Sequence, residues 1–423
     1  MNSHATFVIR GGRELKGEIE VKGAKNAALK ILAAAVLSRE PCVIKNLPDI
    51  EDVQRMEELL RSIGVKISKT KQHTTIETSE VQAGPLDRSL VESIRASILL
   101  AGPLLARHGE VIMPHPGGDK IGQRPIDIFL DGFKALGVTV EVRDRSYRLT
   151  TKKLTGGVIL LPRVSVTVTE EMIMTAVLAE GETIIKNAAM EPEIIALADY
   201  LNAQGARIRG AGTPTIIING VKQISGGTYT VIPDRIEAGT FIILGLLTNS
   251  EIKVTRCNPS HLESLLWHLE KAGAVVEVGS DFVVTRRHQT LKAQSMITHE
   301  YPGFTTDLQP PYTVLMTQAE GPSIIHDPIH QGGRLFYTDL LNSMGANIIM
   351  CDPYRVVVNG PTILRGRYLT SPDIRAGMAL ILAALIAEGE TIIDNVYQVD
   401  RGYEHIAERL AGLGADIKRS EGE

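Results

Sequence analysis

The stretch that decides the architecture is "HLESLLWHLEKAGAVVEV", residues 261–278. Apolar residues recur at helical spacing, a glycine follows, and a short β-branched run comes next. Glycine suits the end of such a helix because it reaches left-handed backbone angles at little steric cost. The same helix–glycine–strand theme stands at Gly64 ("SIGVKI"), Gly137 ("ALGVTVEV"), Gly205 ("AQGARI"), Gly345 ("SMGANII") and Gly414 ("GLGADI"). With Gly273, the successive spacings are 73, 68, 68, 72 and 69 residues. A second shared pattern lies upstream of the glycines. "AAAVLSREPCVIKN" (33–46), "TAVLAEGETIIKN" (175–187) and "AALIAEGETIIDN" (383–395) read alike, and "LGLLTNSEIKVTR" and "LMTQAEGPSIIHD" are weaker copies. Each reads as a small-residue apolar helix, a turn and a strand. A unit of about 70 residues therefore occurs six times, and near-even self-similarity of this kind sets architecture before any motif does. A linear solenoid and two globular groups of three both fit the period. Helices apolar over most of their surface belong at the centre of a domain, which favours the two groups. The expected fold class is α/β, with three repeats per domain.

The chain has 423 residues, 43% of them hydrophobic and 22% charged, which is the globular range. A net charge of -4 and a pI near 6.3 give no reason to expect nucleic acid as a partner. Any anion site must come from local clusters of Arg and Lys. Three widely spaced cysteines, Cys42, Cys257 and Cys351, suit a reducing compartment and argue against a disulfide framework. The N-terminus has no apolar secretory core, and the longest apolar run, 376–387, is too short to span a bilayer. The protein is expected to be cytoplasmic and monomeric.

The chemical candidates are charged residues at unit junctions. Lys25 and Asn26 stand where a strand passes into an apolar helix, whose free N–H groups attract anions. A solvated lysine is the plain alternative. Arg95 precedes a long apolar run and could as well form a structural ion pair. Arg124 stands before Pro125, which presets the backbone there. Asp373, Arg375, Asp400, Arg401 and Tyr403 cluster near the C-terminus. Planar guanidinium groups suit phosphate and carboxylate. Asp307 could be a general base or a helix cap before two prolines, and spacing alone favours the cap. The loop "MPHPGGDKIGQRP" (113–125) holds a lone carboxylate, Asp119, among glycines, prolines and cations, with His115 nearby. No phosphate loop, nucleophile elbow or metal-ligand spacing is present.

"GAKNAALKILAA", "RASILLAGPLLAR", "PGGDKIGQRPID", "NAAMEPEIIALADYL", "VIPDRIEAGTF", "FTTDLQ" and "VDRGYEHI" occur in that order. Together they resemble the UDP-N-acetylglucosamine 1-carboxyvinyltransferases, enolpyruvyl transferases of the EPSP synthase superfamily, over essentially the whole chain. The resemblance implies a two-domain inside-out α/β barrel of six helix–sheet units. Domains are expected at 25–233 and at 1–24 with 234–423, the active site in the interdomain cleft. It implies transfer of an enolpyruvyl group from phosphoenolpyruvate to the 3-hydroxyl of UDP-N-acetylglucosamine, the first committed step of peptidoglycan precursor synthesis. No metal or other cofactor is implied, because no electrons reach a carrier and phosphorus is not attacked. Neither nucleic acid nor membrane insertion is expected.

Residue by residue, the resemblance implies that Lys25, Asn26, Arg124, Arg375 and Arg401 hold phosphoenolpyruvate. Asp307 would take the sugar hydroxyl's proton, and Asp119 and Lys25 would complete the catalytic set. Arg95, Arg124, Pro125, Ile126, Asp127, Ile128, Arg163, Ser165, Val166, Thr167, Asp307 and His330 would line the nucleotide sugar, with Arg334 near the active site. Three positions depart from the family's usual pattern. Asp119 stands where a loop cysteine is usual, Thr167 where a glycine is, and Gly332 where a glutamate is. Without the thiol that fosfomycin alkylates, resistance to that drug is expected. Thr167 and Gly332 bear on the acceptor. An enolpyruvyl transferase for another nucleotide or nucleotide sugar, and a non-catalytic regulatory paralog, are the alternative readings.

Overall fold

The computed structural model describes residues 5–118 and 125–421, so Asp119 and Arg124 lie outside the described residues. The described residues form two compact units, 5–22 with 233–421 and 23–118 with 125–232.

All six repeat glycines close their helices in one way. Gly64 has φ 96°, its N–H donates to the Arg61 carbonyl, and the Val65 N–H donates to the Leu60 carbonyl. Gly137, Gly205, Gly273, Gly345 and Gly414 also have positive φ and repeat this pair of bonds. Two of the orphan carbonyls at each helix end are thereby satisfied, and the chain turns into the following strand segment.

Among the described residues there are six sheets, three in each unit. In five of them a strand that follows a buried helix pairs in parallel with one neighbour and antiparallel with a two-stranded partner on its other side, a hairpin in four and Thr6–Arg10 with Asp416–Ser420 in the fifth. Cys42–Lys45, for example, lies between Gly227–Thr230, parallel, and His73–Glu77, antiparallel, which then pairs with Lys66–Lys69. Glu182–Lys186 and Ile252–Thr255 sit in the same way. The sixth sheet, built on Glu110–Pro114, replaces its parallel strand with a single bridge from Pro85 to Ile112. The asparagine that ends the clearest repeat copies has a role. Asn46, Asn187 and Asn395 adopt φ of 55°, 59° and 52°, and their amide nitrogens donate to the Val231, Leu161 and Ser371 carbonyls, each one residue past the parallel neighbour. Asparagine tolerates that backbone region, and its short amide can bond locally.

The apolar helices are buried on all sides. Every residue of Ala27–Ala35 and of Ile374–Leu385 is buried. In one unit Arg235–Leu247, Gln309–Met316 and Ile374–Ile386 pack on one another. In the other, Lys25–Ala35 and Val166–Ala176 both pack on Pro192–Ala203 and on the turn Arg95–Leu100. No helix among the described residues is long and apolar enough to cross a membrane.

Candidate active site

In the unit of residues 5–22 and 233–421, charge gathers at the ends of the buried helices. Asp307 lies in the 3-10 turn Thr306–Leu308, just before Gln309–Met316. Its carboxylate takes Arg375 at 3.0 Å and Arg334 at 3.3 Å. The helix that follows has no side-chain cap on its N-cap residue Leu308, so the cap suggested by spacing gives way to a double ion pair. Arg375 reaches it from the first turn of Ile374–Ile386, whose N-cap Asp373 accepts from the Arg375 and Ala376 amides. Arg334 also lies 3.6 Å from Asp373 and donates to the Thr306 carbonyl and hydroxyl. The Thr306 and Thr298 hydroxyls both donate to Asp327. Burial works to lower the pKa of both arginines. The charges of Asp307, Tyr403 and Asp234 outweigh it at Arg375, and those of Asp373, Asp307 and Asp327 outweigh it at Arg334, so both pKa values rise. The Arg375 guanidinium lies 5.5 Å from the Tyr403 ring centre, and its buried Nη1 makes no hydrogen bond among the described residues. Arg401, two residues before Tyr403, is buried and donates to Gln398 at 2.9 Å. His330 is half-buried, and its carbonyl accepts from the Gly333 amide.

In the other unit, Lys25 and Asn26 open the helix Lys25–Ala35, whose N-cap Ala24 offers no side-chain cap. A Cβ at Gly23 would lie 1.9 Å from the Asn46 carbonyl oxygen, so only glycine lets the chain pass there. Lys25 reaches Asp52 at 2.9 Å, in the first turn of Glu51–Ser62, where helix amides and dipole favour a negative charge. Arg95 begins the turn Arg95–Leu100 and donates to the Pro116 carbonyl at 3.5 Å, holding the root of the 113–125 loop. At that root His115 meets the Tyr147 hydroxyl at 3.0 Å, and burial, aided by Arg95, pushes its pKa down. Pro125, Ile126, Asp127 and Ile128 form the entry to Asp127–Ala135, with Ile126 buried. Arg163 is exposed, and the Ser165 hydroxyl caps Val166–Ala176, accepting from the Val168 amide. Val166 and Thr167, both half-buried, form its first turn.

Lys25, Arg95 and Ser165 thus head three packed elements of one unit, and Asp307, Arg334 and Arg375 form one cluster in the other. Asp52 and Asp327 were missed. Asp52 had a signal: it breaks the apolar stripe of Val53, Met56 and Leu60 as a buried acid. No group of three or more metal-ligating side chains occurs among the described residues.

A sequence profile of the EPSP synthase (3-phosphoshikimate 1-carboxyvinyltransferase) family matches residues 9–410. The chain belongs to that family. It is a carboxyvinyltransferase, an enolpyruvyl-transferring enzyme. A UDP-N-acetylglucosamine 1-carboxyvinyltransferase of Koribacter versatilis is 44% identical, over 98% of this chain and 96% of its own. One from Bradyrhizobium diazoefficiens is 43% identical, over 98% and 97%. Among solved structures, the enolpyruvyl transferase NikO from Streptomyces tendae superposes with a TM-score of 0.90 at 26% identity, over the full length of both chains. An EPSP synthase from Acinetobacter baumannii, 19% identical, shares the fold with a TM-score of 0.75 over 98% of this chain and 100% of its own.

Proposed function

We propose that this enolpyruvyl transferase moves the enolpyruvyl group of phosphoenolpyruvate to the 3-hydroxyl of UDP-N-acetylglucosamine and releases phosphate. The observation that carries this reading is identity above 40%, over nearly the full length, to enzymes named for that reaction. On this reading, each trio of repeats forms one inside-out barrel.

The sugar oxygen adds to the central carbon of phosphoenolpyruvate while the methylene carbon gains a proton. That carbon then loses a proton, the C–O bond to phosphate breaks, and the enol ether remains. A base and an acid must therefore stand ready. Asp307 takes the hydroxyl proton, and its two guanidinium partners keep it in place. Asp119 supplies the proton to the methylene carbon. A free aspartate has a pKa of about 3.9 and a thiol about 8.5, so an aspartate acid favours a lower working pH than a cysteine would. Bound anionic phosphoenolpyruvate and desolvation both raise an aspartate's pKa, towards the protonated form the step needs. Lys25, Asn26, Arg124, Arg375 and Arg401 offset the charge of phosphoenolpyruvate. Arg95, residues 125–128, Arg163 to Thr167 and His330 hold the nucleotide sugar, with Arg334 steadying Asp307. Fixed donors of this kind gain strength where water is excluded.

The test is phosphate release from phosphoenolpyruvate with and without UDP-N-acetylglucosamine. Release that requires the nucleotide sugar is expected, lost by about a hundredfold in Asp119→Ala and retained in Asp119→Cys. Incubation with fosfomycin beforehand should inhibit only Asp119→Cys. No release with the nucleotide sugar, or equal release without it, refutes the assignment.

A further inference from the structure

Five residues into the helix headed by Lys25, a second lysine points into the core. Lys30 lies 3.4 Å from Glu170 on the helix capped by Ser165, with side-chain exposures of 9% and 0%. Neither Glu170 oxygen accepts a hydrogen bond among the described residues. Glu191 and Glu193, at the head of Pro192–Ala203, are also buried and raise the Glu170 pKa by repulsion. The mechanism uses none of the three.

A buried lysine–carboxyl contact is weak evidence for stability, because well-packed apolar residues of similar size usually serve as well or better. Its geometric effect is clearer. Both helices pack on Pro192–Ala203, and Lys30–Glu170 bridges them directly. At 1.5 Å per residue, Lys30 lies about 7.5 Å along the axis from Lys25, and Glu170 about 4.5 Å from Thr167. The bridge therefore stands within two turns of both helix heads.

We propose that Lys30 and Glu170 are positioning residues that fix the spacing between the Lys25–Asn26 helix head and the Ser165–Thr167 helix head. The pair thereby sets how phosphoenolpyruvate and the diphosphate of the nucleotide sugar lie relative to each other. The second statement rests on the proposed function; the first does not.

The test compares the wild type, Glu170→Gln, and the double substitution Lys30→Met with Glu170→Leu. Glu170→Gln keeps the size of the side chain and a polar oxygen facing Lys30, and should stay within about twofold of the wild type in both KM values. The apolar double variant should melt close to the wild type, with kcat/KM down about tenfold or more, as expected for a displacement near 1 Å. Wild-type kinetic constants in the double variant overturn the proposal. So does failure of that variant to fold, since the pair would then serve stability. A crystal structure of the double variant reads the positional claim without activity. Helix heads displaced by about 1 Å support it, and heads unmoved within about 0.3 Å refute it. An inactive wild type sinks only the functional reading.

Discussion

The two units bury charge in different ways. Around Asp307, charges of both signs are knit together. Two arginines, 1% and 5% exposed, share three aspartates, and threonine hydroxyls tie the third aspartate into the network. The carboxylate at the centre remains 25% exposed. Around Glu170, one ammonium lies 3.4 Å away, two further buried glutamates repel the charged carboxylate, and the Glu170 oxygens take no hydrogen bond among the described residues. A buried charge needs a partner and further hydrogen bonds, or it gives up its charge. The first cluster meets that need, and its central carboxylate reaches solvent. At Glu170 that need goes unmet: burial, against the pull of Lys30, pushes its pKa up to about 8.

The largest effect should come from cutting into the first cluster. Arg375→Met removes one of the two cations from Asp307. We expect kcat/KM to fall by about 10²–10³, the range for losing one fixed charge stabiliser. The stability loss should be about 2 kcal/mol, below that of a fully sealed pair because Asp307 reaches solvent and Arg334 remains. Arg375→Lys should restore little, since a point charge cannot replace the fork. Kinetics within tenfold of the wild type in Arg375→Met would show that this charge does not work in the reaction.

The second cluster should reveal itself through pH. The Glu170 carboxyl keeps its proton in the folded state up to about 8, while an unfolded glutamate releases it near 4.3. Its contribution to stability is therefore full below the unfolded value and is lost as pH rises towards the folded one. Lys30 opposes the shift, and Glu193 and Glu191 on the neighbouring helix reinforce it. Glu171, on the same helix and also pushed up by burial, accepts from the Gly102 amide. Glu170→Gln removes one titration and leaves the others. In urea unfolding at pH 5, 6, 7 and 8, the wild type's stability relative to this variant should fall by up to about 1.4 kcal/mol per pH unit. A difference that stays constant over that window would mean Glu170 ionises normally.

Much of the fold was readable because its signals are local. A glycine just past a helical stripe, or an asparagine after a β-branched run, acts on its own neighbourhood, and six near-even copies made the pattern legible. Lys25 and Asn26 at a helix head were visible for the same reason. Asp307 was not, because its partners Arg334 and Arg375 are 27 and 68 residues away and spacing alone suggested a cap. Lys30 and Glu170 were hidden further, separated by 140 residues inside two helices that otherwise read as core. Long-range pairing is set by packing, which one sequence does not display.

The smallest effect tests where the two units should agree. Gly205, in one unit, and Gly273, in the other, close their helices with φ of 98° and 88°, and a Cβ at either would meet nothing within 4 Å. Substitution by alanine then carries the left-handed backbone cost without a clash, about 1 kcal/mol at each site. Gly64, with φ 96°, differs, because a Cβ there would lie 2.7 Å from the Glu80 carbonyl oxygen. Gly64→Ala should therefore cost more than either, by about 1 kcal/mol. Equal losses at Gly205 and Gly273, measured by urea unfolding, would show that the repeat carries the same local energetics in both units. A loss at Gly273 several times that at Gly205 would mean that the shared helix ending hides different surroundings, and that the repeat is equivalent in backbone alone.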